Sequence, residues 1–100
     1  MERIIPLTKK RFGEIIPGKW IHEPSMRTHF LFLGDGLIEA KVIYLPYDPE
    51  LIYAVINGQE LRYYSIGSIE AAKREVEDQI WLRLCKANKE LETVENYKDD

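Results

Sequence analysis

The sequence predicts an α+β fold, an antiparallel meander of about four or five strands packed on one long C-terminal helix. Three observations carry this. Asn57-Gly58 lies between two apolar runs and is the strongest hairpin signal in the chain, because both residues tolerate φ > 0. Apolar residues at Ile69, Ala72, Val76, Ile80, Leu84, Ala87, Leu91 and Val94 recur three or four apart, as one helical stripe. Punctuation at Gly13, Pro17-Gly18, Pro24, Gly34-Asp35-Gly36, Pro46, Pro49 and Gly67 cuts the remainder into runs too short for helices.

The chain is 100 residues long, a single domain over 1–100. Within it, residues 1–27 read as an irregular segment with short strands, 28–64 as the meander, 68–94 as the helix and 95–100 as a frayed acidic tail. In 1–27, Ile4-Ile5 and Ile15-Ile16 are short strands or a wrap over the core, and Lys19 to His22 begins another strand. Pro6 and Pro17 confine any strand there to an edge or an end.

Thr28 to Leu33 reads as a strand and Leu37 to Leu45 as its partner. Ile38, Ala40, Val42 and Tyr44 face the core, with Glu39 and Lys41 on the other side. The turn between them allows two registers. A three-residue loop pairs Phe30 with Ala40; a two-residue Asp-Gly loop pairs Leu31 with Ala40. The two choices bury opposite faces of the first strand.

After the Pro46 to Pro49 loop, Leu51 to Ile56 and Gln59 to Tyr64 form the second hairpin. A type I′ turn at Asn57-Gly58 sets Ile56 opposite Gln59, Ala54 opposite Leu61 and Val55 opposite Glu60. It also sorts Leu51, Tyr53, Val55, Arg62 and Tyr64 onto the face away from the helix, joined there by either Phe30 and Phe32 or Leu31 and Leu33.

Ser68 suits an N-cap, and Glu70 in the first turn favours the helix dipole. A helix to Val94 spans ~38 Å, against ~20 Å for a six-residue strand, so it should overhang the sheet or fray. Arg74, Glu77 and Asp78 lie opposite its main stripe, on the solvated side. Trp81, Leu82, Cys85 and Ala71 lie off that stripe and need a second cover. Ile4, Ile5 and Leu7 supply it from within, or it is supplied by a partner protein or by a second copy of the chain, as a homodimer through the Trp81/Leu82 strip.

Chemistry was sought residue by residue. His22 and His29 are two ligands, short of the three or four that zinc takes, and the single cysteine, Cys85, has no activating partner near it in sequence. His29 reads as a strand residue facing solvent or as a cross-strand partner of Lys41 or a neighbour. Gly34-Asp35-Gly36 lacks the Lys-Ser/Thr and the helix of a phosphate loop. The expectation is therefore no enzyme, no metal and no cofactor. A lone cysteine, no run near ~20 apolar residues and no signal segment in Met1 to Leu7 point to the cytoplasm, with no membrane partner.

Net charge is −3 but uneven: residues 1–27 carry +3, 28–68 carry −3 and 69–100 carry −3. Lys9-Lys10-Arg11 read as a solvated turn or, more sharply, as a phosphate-binding patch. The acidic strand region repels phosphate, which argues against nucleic acid as the partner. Tyr53, Arg62 and Tyr64 are residue types that protein interfaces favour. The acidic helix surface of Glu70, Glu75, Glu77 and Asp78 is a second contact candidate, a mimic of phosphate or a plug for a basic groove.

A tryptophan, Tyr53-Ala54-Val55-Ile56-Asn57-Gly58 and Ser68-Ile69-Glu70-Ala71-Ala72-Lys73-Arg74-Glu75-Val76-Glu77 together resemble small orphan proteins of phages and mobile elements, of the anti-CRISPR type. The resemblance covers residues 51–80. It implies a stoichiometric protein inhibitor in a host cytoplasm and assigns no residue a role. The functional expectation is a non-enzymatic protein-binding module of that kind. The alternatives are a nucleic-acid-binding domain using Lys9, Lys10, Arg11 and sheet aromatics, and a subunit of an oligomeric enzyme.

Overall fold

A computed structural model of the chain describes residues 7–45, 51–61 and 68–98, and its centre is a five-stranded antiparallel sheet in plain chain order. The strands are β1 (Trp20–Glu23), β2 (Thr28–Leu33), β3 (Ile38–Tyr44), β4 (Ile52–Ile56) and β5 (Gln59–Glu60). Two helices lie on one face: α1 (Lys9–Ile15), which runs on through a 3-10 turn at Ile16–Lys19, and α2 (Ile69–Lys98). This is the α+β meander that the pattern predicts.

The hairpin turns behave as their chemistry demands. Asn57 and Gly58 take φ of 49° and 78°, and Ile56 pairs with Gln59 and Val55 with Glu60. Asn57 also braces the neighbouring strand: its Oδ1 accepts from the Glu39 N–H at 2.8 Å, and its own N–H donates to the Glu39 carbonyl at 2.8 Å. Between β2 and β3 the two-residue loop wins, pairing Leu33 with Ile38 and Leu31 with Ala40. Leu37 N–H donates to the Gly34 carbonyl, and Asp35 and Gly36 take the positive φ that a type I′ turn requires at its two central residues.

That register decides which face of β2 is core. Leu31 is buried with Ala40, Val42, Ala54, Ile56, Ala72, Val76 and Ile80, while Phe30 and Phe32 point the other way. Ser68 caps α2 as expected, its hydroxyl accepting from the Ala71 N–H at 3.0 Å.

Several expectations need correction. Among the described residues the segment before β1 is not strand: Ile15 ends α1 and Ile16, buried in the core, opens the 3-10 turn, so of the two readings the wrap over the core holds there, and Ile4-Ile5 lie outside the described residues. Thr8 caps α1 by accepting from the Arg11 N–H at 3.2 Å, and Phe12 and Ile16, four apart, bury one side of it in the core. Lys9, Lys10 and Arg11 are therefore the first turn of a helix rather than a loop. The return strand β5 is two residues long, and positions 62–67 lie outside the described residues, as do 1–6 and 46–50. α2 runs to Lys98, and positions 99–100 lie outside the described residues.

No helix among the described residues is long and apolar enough to cross a membrane.

Candidate functional site

The outer face of the sheet is built by antiparallel pairing alone. Cross-strand partners share a face, so Ile21, Phe30, Lys41, Val55 and Glu60 form one row. Glu23, Thr28, Ile43 and Tyr53 form the next, and Phe32 with Glu39 the third. Ile21 and Phe32 are the apolar high points, 51% and 45% exposed, while Ile43, Tyr53 and Val55 are half-buried. Phe30 and Phe32 stack with ring centroids 5.7 Å apart, and the Lys41 ammonium lies 5.9 Å from the Phe30 ring. Lys41 also pairs with Glu39 at 3.5 Å.

Of the residues expected on this face, Tyr53 and Val55 are there and Leu51 is half-buried just before β4. Arg62 and Tyr64 lie outside the described residues. Ile21 was missed, because its place depends on β1 pairing with β2. The sequence held one sign of that pairing in the Pro24–Arg27 turn, which Arg27 closes at φ 52°.

The opposite layer holds a polar cluster that the sequence did not show. His22 and His29 are direct cross-strand partners, stacked 4.0 Å apart with planes 5° from parallel. Tyr44 tilts against both rings, its hydroxyl 2.9 Å from Nε2 of His22. His29 is thus buried on the helix side rather than facing solvent, and it lies across from Val42, the neighbour of Lys41, while Phe30 faces Lys41 itself. Burial, with Lys73 and His22 beside it, holds the His29 imidazole below its ordinary value against an opposing pull from Glu70. A metal bonded to both imidazoles would have to lie in the plane of each, and two stacked parallel rings share no such point. Among the described residues no three His, Cys, Asp or Glu groups are placed to hold a metal ion.

Beside this cluster Trp20 ties β1 to α2. Its indole N–H donates to Glu77 Oε1 at 3.0 Å, and the Lys73 ammonium sits 5.6 Å from its ring. Lys73 also reaches Glu70 at 3.6 Å. Glu77, expected among solvated residues, is half-buried and holds a structural hydrogen bond. Of the four acidic positions, Glu70 and Asp78 are exposed and Glu75 is half-buried.

Trp81 packs on Phe12, with centroids 5.4 Å apart. The N-terminal segment therefore covers it, through Phe12 of α1; Leu7, 48% exposed, lines a hollow beside Trp81, Leu84 and Cys85. Leu82 stays 59% exposed. Lys9, Lys10 and Arg11 belong to α1 in the helix layer, so they share no face with Phe30, Phe32 and Tyr53.

No protein-family model, no curated protein and no solved structure matches the chain.

Proposed function

We propose that the chain is a non-enzymatic protein-binding module that holds its partner on the outer face of the sheet. The observation that supports this is the placement of Ile21 and Phe32, exposed, beside half-buried Ile43, Tyr53 and Val55, with Lys41 and the carboxylates of Glu23, Glu39 and Glu60 among them. Both helices lie on the other face; on this one Thr28 and Phe30 are buried, while Ile21 and Phe32 stay exposed. Exposed aromatic and aliphatic groups rimmed by charge are what a protein interface presents before it closes. The resemblance of residues 51–80 to small phage inhibitors makes a host nucleic-acid-handling complex the first partner class to test.

The test is affinity capture from a host extract with wild type and with Ile21→Ser/Phe32→Ser. Both positions are substantially exposed, so the double variant keeps its circular dichroism spectrum. Capture lost in the variant supports the outer face. Capture retained at wild-type level overturns it. A gel shift with mixed DNA and RNA at low salt separates the alternative, since binding abolished by changing Lys9, Lys10 and Arg11 to Ser would make nucleic acid the partner.

A further inference from the structure

We infer that the facing imidazoles of His22 and His29 make β1 an acid-released edge strand, locked to β2 while at least one ring is neutral and let go when both are charged. The two rings stand on directly paired positions of β1 and β2 and stack 4.0 Å apart, with planes 5° from parallel. Two neutral rings stack well, and so does one charged ring on a neutral one. Two imidazolium rings in this arrangement are like charges set directly across a strand pair, which destabilises the pairing. His22 is exposed and His29 is buried, so water reaches only one of the two charges.

The described groups around the pair do not neutralise a second proton. From β3 comes Tyr44, which tilts against both rings and whose hydroxyl lies 2.9 Å from His22 Nε2. From α2 come Glu70 and Lys73, already paired with each other at 3.6 Å. The Glu70 side chain is 76% exposed and that of Lys73 16%, so water screens the carboxylate more than the ammonium. Lys73 is also kept close, 5.6 Å from the Trp20 ring. Glu77, one turn further along α2, is engaged by the Trp20 indole, and Glu23 of β1 lies on the outer face. Burial first, then Lys73 and His22, hold the proton affinity of His29 below its ordinary value, and Glu70 offsets only part of this.

β1 is lightly held. It has four residues and lies at the edge of the sheet, hydrogen-bonded to β2 alone. Ile21, His22 and Glu23 are exposed, and only Trp20 packs against the core, half-buried. A 3-10 turn containing Pro17 and Gly18 precedes the strand, and the Pro24–Met26 turn follows it. Short edge elements of this kind open locally while central strands stay closed. Opening takes His29 out of its stack and gives its ring access to water. The open form therefore binds the proton more tightly than the closed one, and falling pH shifts the balance toward it.

Release changes the opposite face as well. Ile21 leaves the row that it forms with Phe30, Lys41, Val55 and Glu60, so the outer face loses one of its two exposed apolar residues. A partner docked on that face at neutral pH is therefore shed in acid. This consequence rests on the outer face being the docking face, whereas the release itself is read on the chain alone, so either fails without the other.

Amide hydrogen exchange of the full chain by NMR, at about pH 7.5 and about pH 5 and corrected for the intrinsic rates, tests this; the two values bracket imidazole titration. Protection of the β1 amides falls severalfold in acid while that of β3 and β4 holds. His22→Gln, at an exposed position on the sheet edge, removes the second charge and keeps the fold. In that variant β1 stays protected at about pH 5, and the His29 ring resonances titrate at higher pH than in wild type. β1 protection equal at the two pH values overturns the inference. So does a loss shared equally by β3 and β4, which is global unfolding rather than strand release. A His22→Gln variant that leaves either the acid loss of β1 protection or the His29 titration unchanged overturns it too, because the release then owes nothing to the paired charges.

Discussion

Replacing Trp20 with Phe and Glu77 with Ala, singly and together, tests the side-chain hydrogen bond that spans the greatest sequence separation among the described residues. The indole N–H donates to a carboxylate 57 positions away at 3.0 Å, and it is the polar tie between the edge strand β1 and α2. A hydrogen bond to a charged group contributes about 1.5–3 kcal/mol when dry. Glu77 and Trp20 are both half-buried, so water competes, and a coupling of about 1 kcal/mol is expected. Trp20→Phe also weakens the Lys73 contact over the ring, adding about 0.5 kcal/mol to its single cost. Urea unfolding followed by far-UV circular dichroism gives the four stabilities of the cycle, and each kcal/mol appears thermally as about 4–8 °C. Glu77→Gln keeps an acceptor and should cost less than Glu77→Ala. Amide exchange adds a local reading: β1 loses protection before β3 and β4, because its ladder rests on β2 alone. A coupling within about 0.3 kcal/mol of zero would refute the reasoning, since that is the additivity of sites that do not interact.

Four further outcomes follow from single sites. Leu31 is fully buried in the core, so Leu31→Ala should cost about 2–5 kcal/mol by urea melt, whereas Phe32→Ala on the outer face should cost far less. Ser68→Ala removes the acceptor for the Ala71 N–H and should cost about 1 kcal/mol in the same assay. Asn57→Gly keeps the left-handed turn but strips the Glu39 N–H of its acceptor, so it should destabilise by about 1 kcal/mol although glycine suits the φ. His29 binds its proton less readily folded than unfolded, so unfolding takes up a proton. Its contribution is fully present above the ordinary value of 6.5 and is lost as pH falls below it toward the folded value. His29→Asn should flatten that slope, and an unchanged slope in a pH series of melts would exclude His29 as its source.

Where local chemistry decides, the sequence could be read. Asn57-Gly58 announces its turn because few residue pairs accept two positive φ values, and Ser68 with the stripe Ile69, Ala72, Val76, Ile80 announces α2. The register of β2 against β3 was not legible, for a specific reason. Both faces of Thr28 to Leu33 are apolar, so alternation cannot choose between the phenylalanines and the leucines. The structure chooses by packing: Leu31 fits between Ala40 and the helix, and Phe30 and Phe32 stack on each other outside. α1 was hidden by composition, since Gly13 lowers helix propensity and Lys9, Lys10 and Arg11 oppose the dipole in its first turn. What forms it is tertiary, the burial of Phe12 and Ile16, and their spacing of four after the cap Thr8 was the available signal. Of the outer face, Tyr53 and Val55 followed from the turn, while Ile21 followed only once β1 had a partner. The stacked histidines and the Trp20–Glu77 bond join distant segments and carry no local sign at all.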